Sequence, residues 1–158
     1  MDKKLDQLYC AVINADSNRT LLASVPHEKM EDLAAVAKMR ISDTESVLVT
    51  SDMCNKMQMT PEEVLEVARK NTEEKGYECV PIGDMIQSIL VPEELPEAYT
   101  EDIRAETTKA KMYVITNREK WEGASAILSP RALEEAREKM GENFYILPSS
   151  RHELILLP

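Results

Sequence analysis

The sequence is short of glycine, of aromatic side chains and of basic charge. Only four glycines occur in 158 residues, and no GxGxxG or Walker-type run is among them, so a backbone cradle for phosphates is not expected. Aromatic residues make up 4% of the chain, as one Trp, one Phe and five Tyr. Aliphatic side chains and the nine methionines must therefore fill the core. Cysteine is limited to Cys10, Cys54 and Cys79, an odd number with no CxxC pair. That pattern argues against a disulfide framework and for free thiols in a reducing cytoplasm. Apolar runs are short. Leu8–Ile13 does not make a signal-peptide core followed by a cleavage site, and Leu154–Leu157 is far below the roughly 20 residues of a membrane span.

What is present is acid. Asp and Glu number 29 against 19 Lys and Arg, a net charge of −10. Such a surface repels polyanions, so direct nucleic-acid binding and adsorption to anionic membranes are both disfavoured. The carboxylates gather as Glu62, Glu63 and Glu66, as Glu93 to Asp102, and as Glu134, Glu135 and Glu138. They read as solvated helix faces and loops, or alternatively as a decoy surface for a basic partner. With 43% hydrophobic and 30% charged residues, the chain is that of a globular protein. Its length fits one domain burying roughly 70% of its unfolded surface.

Along the chain, Tyr9–Asn14 has β character, and Asp16, Ser17 and Asn18 offer turn and N-cap chemistry for a brief helix closed by Pro26. Residues 33–41 fit either a helical stripe or an alternating strand, and strand from Leu33 is the reading carried forward. Ser42–Glu45 then turns into the strand Ser46–Thr50. Thr60-Pro61-Glu62-Glu63 is a capping box with proline at the first helical position, opening a helix that Gly76 ends. Tyr77–Val80 is extended, and Met85, Ile86, Ile89 and Leu90 mark a second amphipathic helix. Residues 92–109, rich in Pro, Glu and Thr, are expected to form a mobile loop. The last third reads strand (Met112–Asn117), strand (Ala124–Leu128), helix from Ser129-Pro130 to Gly141, strand (Phe144–Pro148), polar turn and strand (Leu154–Pro158). A strand–capped helix–strand order thus recurs in the two halves, an echo that common helix punctuation explains equally well.

Candidate chemistry is sparse. Ser149, Ser150 and His152 supply hydrolase ingredients, yet they are sequence neighbours without a GxSxG elbow, so they read first as a tight turn between buried strands. His27 and His152 lack the close pair spacing with Cys10, Cys54 or Cys79 that a zinc site needs, so no metal and no cofactor are expected. Cys10 sits in an apolar run and reads as core; Cys54 reads as part of a polar loop. Asn117, Arg118 and Trp121, on a polar loop after a strand, make a candidate binding element with His152 and Glu153, a Trp beside an Arg being a good anchor. The alternative is that Trp121 folds back over the sheet edge.

Met112–Asn117, Gly123–Leu128, Leu147–Ser150, His152–Glu153 and Leu154–Pro158 resemble an uncharacterised, DUF5688-like family of gut Firmicutes. Val12-Ile13-Asn14, Asn18, Leu21-Leu22, Val25-Pro26-His27 and Asp32-Leu33 match its earlier pattern. The resemblance implies an α/β fold and a bacterial source, often in genomes rich in mobile elements, and no established activity. Relative to it the chain looks like a core module or shortened form.

These readings together predict a single α/β (α+β) domain over 1–158. A mixed sheet of about six to eight short strands would carry helices near 60–75 and 130–140. The expected function is a non-enzymatic, cytoplasmic protein-interaction or regulatory module. The alternatives are an acidic mobile-element inhibitor of a nucleic-acid-binding host enzyme and a small hydrolase using Ser149 or Ser150 with His152. A protein partner is expected, without nucleic acid or membrane; the sequence leaves the oligomeric state open.

Overall fold

The computed structural model describes residues 2–89, 99, 101–102, 105–106 and 109–158. The expected loop at 92–109 lies mostly outside these. By its contacts the chain divides into two compact units, Met1–Gly76 and Tyr77–Pro158.

In the first unit, continuous apolar runs buried on both faces build strands β1 (Leu8–Asn14) and β3 (Leu33–Arg40), paired antiparallel with Cys10 opposite Ala37. Residues 33–40 are thus strand. The three alanines in this region, Ala34, Ala35 and Ala37, favour helix locally, but all three are buried in the sheet. The short strands β2 (His27–Met30) and β4 (Ser46–Leu48) pair with β3 as well. The Ser42–Glu45 turn is closed by the Ile41 N–H donating to the Glu45 carbonyl at 2.9 Å. On one sheet face Ala11, Ala34 and Val36 pack with Ala15, Leu22 and Val25, the Leu22 coming from the single turn α1 (Arg19–Leu22). Asn18 precedes that turn without capping it; instead the Asn14 side chain accepts from the Ser17 N–H at 2.8 Å.

Two further helices follow, α2 (Ser51–Met57) and α3 (Pro61–Lys75). The expected polar loop around Cys54 is instead α2. Thr50 caps it by accepting from the Met53 N–H at 3.3 Å, and Cys54 is buried on its inner side. For α3 the capping box forms in full: the Glu63 N–H donates to Thr60 Oγ1 at 3.2 Å, and the Thr60 N–H to Glu63 Oε2 at 2.7 Å. Val64, Leu65, Ala68 and Thr72 form its buried face. Burying Val64 alone contributes roughly 1.5–3 kcal/mol. Polar residues of α3 also satisfy the outer backbone of β1. Thr72 Oγ1 accepts from the Cys10 N–H at 2.8 Å, and Asn71 Nδ2 donates to the Leu8 carbonyl at 3.0 Å. An otherwise open sheet edge is closed by a helix.

The second unit has its own four-stranded antiparallel sheet, ordered β5 (Tyr77–Pro81), β6 (Tyr113–Asn117), β8 (Glu153–Leu157), β7 (Tyr145–Pro148). Helix α4 (Ile82–Ile89) follows β5. Cys79, Ile115 and Leu154 share one register row, and with Leu156 they form the buried face. Helix α5 (Pro130–Met140) packs on β5 and β8, presenting Ala132, Ala136 and Met140 at helical spacing. Ser129 caps it by accepting from the Ala132 N–H at 3.1 Å, and Gly141 ends it at φ +98°.

The α/β class therefore holds, with eight short strands among the described residues and helices at the two expected places. The single mixed sheet does not: the strands form two antiparallel sheets of four. The strand–helix–strand echo dissolves with it, because β4 and β5 belong to different sheets. Its second copy fails for another reason. Gly123–Leu128 is a 3-10 helix rather than a strand. Both edges of β6 are already taken, by β5 and β8, so no ladder position is left for it. Small side chains let Gly123 to Ala126 be buried consecutively, with the Ser125 N–H closing on the Glu122 carbonyl at 3.1 Å.

Candidate functional site

The candidate binding residues converge at one end of the second sheet, where the loop leaving β6 meets the β7–β8 turn. Asn117, the last residue of β6, is buried, and its side chain closes the loop on itself. Its Oδ1 accepts from the Trp121 N–H at 2.9 Å, and its Nδ2 donates to the Trp121 carbonyl at 2.5 Å. Lys120 and Glu122, on either side of Trp121, both adopt left-handed backbone, at φ 53° and 55°. For residues with a β-carbon this conformation costs on the order of 1–2 kcal/mol each, and such strain concentrates where a loop must present a particular side chain.

Trp121 is half-buried and contacts two neighbours from the opposing turn. The Arg151 guanidinium carbon sits 5.3 Å from its ring centroid, within cation–π range, and the His152 ring is 5.3 Å away at a 45° tilt. The turn is tied to the loop by three hydrogen bonds. Thr116 Oγ1 donates to the His152 carbonyl at 2.8 Å, the Ala124 N–H to the Arg151 carbonyl at 3.2 Å, and the Glu122 N–H to His152 Nδ1 at 3.1 Å. With Nδ1 accepting, the neutral imidazole carries its hydrogen on Nε2. Arg151 Nε lies 3.0 Å from that Nε2. A neutral imidazole accepts at one ring nitrogen, so the Glu122 N–H and the Arg151 Nε–H are alternative donors to this ring.

Beneath Trp121 is a buried polar layer. Ser125 Oγ donates to the Glu122 carbonyl at 2.7 Å and lies 3.2 Å from the Tyr77 hydroxyl. Glu122 and Ser125 are almost fully enclosed, at 2% and 1% exposure. Gly123 lets this layer close. A β-carbon there would stand 2.3 Å from the His152 carbonyl oxygen, 2.6 Å from Thr116 Oγ1 and 2.7 Å from the Asn117 nitrogen.

The other expected residues divide. Arg118 is exposed and faces Glu78 at 3.8 Å, beside the loop rather than on Trp121. Glu153 starts β8, and its carboxylate accepts from Ser150 Oγ at 2.9 Å and Ser149 Oγ at 3.4 Å. Ser150 Oγ in turn accepts from the His152 backbone N–H at 2.9 Å. The serines thus serve the turn, while the imidazole points to Glu122 and Arg151. Arg151, Glu122, Gly123, Ser125 and Tyr77 were not picked out from sequence. Of these, Gly123 carried a usable signal, as one of so few glycines placed directly after the loop. Among the described residues, no three His, Cys, Asp or Glu side chains are grouped to hold a metal ion. No helix among them is long and apolar enough to cross a membrane.

A family model described as a family of unknown function, DUF5688, matches residues 1–158, the whole length. The chain belongs to the DUF5688 family. No curated protein and no solved structure matches it. The DUF5688 assignment agrees with the resemblance carried by the strand at Met112–Asn117 and the Leu147–Glu153 run, and it brings no activity with it.

Proposed function

We propose that this DUF5688 chain is a non-enzymatic protein-interaction module whose contact element is the Trp121 loop with the Arg151–His152 turn. The observation that carries this is the contact of Trp121 with both Arg151 and His152, on a strained loop that Asn117 ties shut. Trp and Arg are the side chains that most often anchor interfaces, and a pre-set loop spares ordering entropy on binding. Free Cys10, Cys54 and Cys79, all buried, support a reducing cytoplasmic setting. The hydrolase alternative draws no support from Ser149 and Ser150, whose hydroxyls go to Glu153. The acidic-decoy alternative draws little from α5, where Glu135 pairs with Lys139 at 2.8 Å and Glu134 with Arg137 at 3.6 Å.

The test is affinity capture from the native host with the full chain and with Trp121→Ala, both checked for folding by circular dichroism. A partner held by the wild type and weakened about tenfold or more by the variant supports the proposal, as expected for an anchor residue. Equal capture by both chains, or no reproducible partner, overturns it.

A further inference from the structure

A second site lies in the first unit, independent of the Trp121 loop. The segment from Ala15 to Ala23 and strand β2 frame a cavity of about 280 Å³. Its apolar wall is Ala15, Leu22 and Ala23, and its polar rim is Asp16, Arg19, His27 and Lys29. The volume is at the low end of small-molecule sites, so only a compact ligand fits.

The sign of the rim runs against that of the chain. In a protein of net charge −10, the cavity is bordered by the basic side chains of Arg19 and Lys29 and by one carboxylate. Strand alternation produces this. His27 and Lys29 share one face of β2, whereas Glu28 between them points to the other face and binds Arg69 at 2.5 Å. The His27 ring is fixed by Nδ1–H donating to the Val25 carbonyl at 2.9 Å. Asp16 holds the Arg19 guanidinium through Nε at 3.3 Å and Nη2 at 2.8 Å. A guanidinium has five N–H donors in a fixed fork, so this grip leaves Nη1 available. Asp16 and Arg19 are both largely exposed, and their attraction is correspondingly screened.

We infer that this cavity binds a small oxyanion, held by Arg19 Nη1 and Lys29 Nζ, with His27 as a wall and Asp16 positioning the guanidinium. Phosphate and a short carboxylate share this chemistry, and separate titrations distinguish them. The experiment follows amide chemical shifts of the full chain during titration with inorganic phosphate, and in a second arm with acetate, at constant ionic strength. Saturable shifts confined to residues 15–29 are expected in at least one arm. Arg19→Ala and Lys29→Ala should each weaken binding about tenfold, as loss of a charge-assisted contact does. Glu28→Gln, on the opposite face, should change affinity by less than about twofold. Each of these side chains is exposed, and the variant spectra report folding directly. Non-saturable shifts scattered over many lysines, or wild-type affinity in both Arg19→Ala and Lys29→Ala, overturn the inference.

Discussion

Asn117 grips the backbone of Trp121 at both of its polar groups, accepting from the N–H and donating to the carbonyl. One buried amide thereby fixes where the lone tryptophan stands. The amide supplies the acceptor and the donor that this pairing uses, on two separate atoms.

Asn117→Asp keeps the acceptor, loses the donor and leaves the Trp121 carbonyl facing a carboxylate. Destabilisation of about 1–3 kcal/mol is expected. The readout is a lower urea midpoint, with Trp121 emission already altered before unfolding, since its loop is no longer held.

Gly123→Ala tests the close approach of the loop and the turn. The new methyl would meet the His152 carbonyl oxygen and the Asn117 nitrogen, both backbone atoms, well inside contact distance. The backbone must shift, at a cost of about 1–3 kcal/mol or more. A fall in thermal midpoint with broadened amide signals for residues 116–124 and 151–152 is the expected result. An unchanged midpoint would falsify the steric argument.

The buried thiols predict an alkaline limit to stability. Burial pushes the Cys10 thiol up to about 12, partly opposed by Arg69, and the Cys79 thiol up to about 11, partly opposed by Lys139. Their ordinary value is 9.0. Between these values and 9 the unfolded chain has released protons that the native chain retains, so stability falls as pH rises. Each thiol contributes a slope of roughly 1.4 kcal/mol per pH unit inside its own window and none below it. Chemical denaturation from pH 8 to 11 measures this. Cys10→Ala should flatten the dependence relative to its own value at pH 8; an identical slope would remove Cys10 as the cause.

Much of the architecture was written locally. Thr60 to Glu63 and Ser129-Pro130 announced their helices because caps act within one turn and need no tertiary context. The apolar runs of β3 and β8 were legible for the same kind of reason. Strand β2 was not, because His27, Glu28 and Lys29 are polar and owe their extended form to pairing with β3. Gly123–Leu128 misled because small residues at a close approach look like a strand until the neighbouring ladder positions are known to be filled. Asn117, Trp121 and His152 were found as residue types, and the structure brings them together. Their geometry rests on Glu122 and Gly123, whose roles depend on contacts about thirty residues away.

Strand β8 lies between β6 and β7 in the sheet, although it follows both in the chain. A ribosome delivering this polypeptide therefore exposes β7 before its pairing strand exists. Residues 1–76, by contrast, contain every strand of their own sheet. Vectorial synthesis gives the first sheet time to form while the second waits for Glu153–Leu157, so nascent chains halted near Ser150 hold β7 without a strand to pair with.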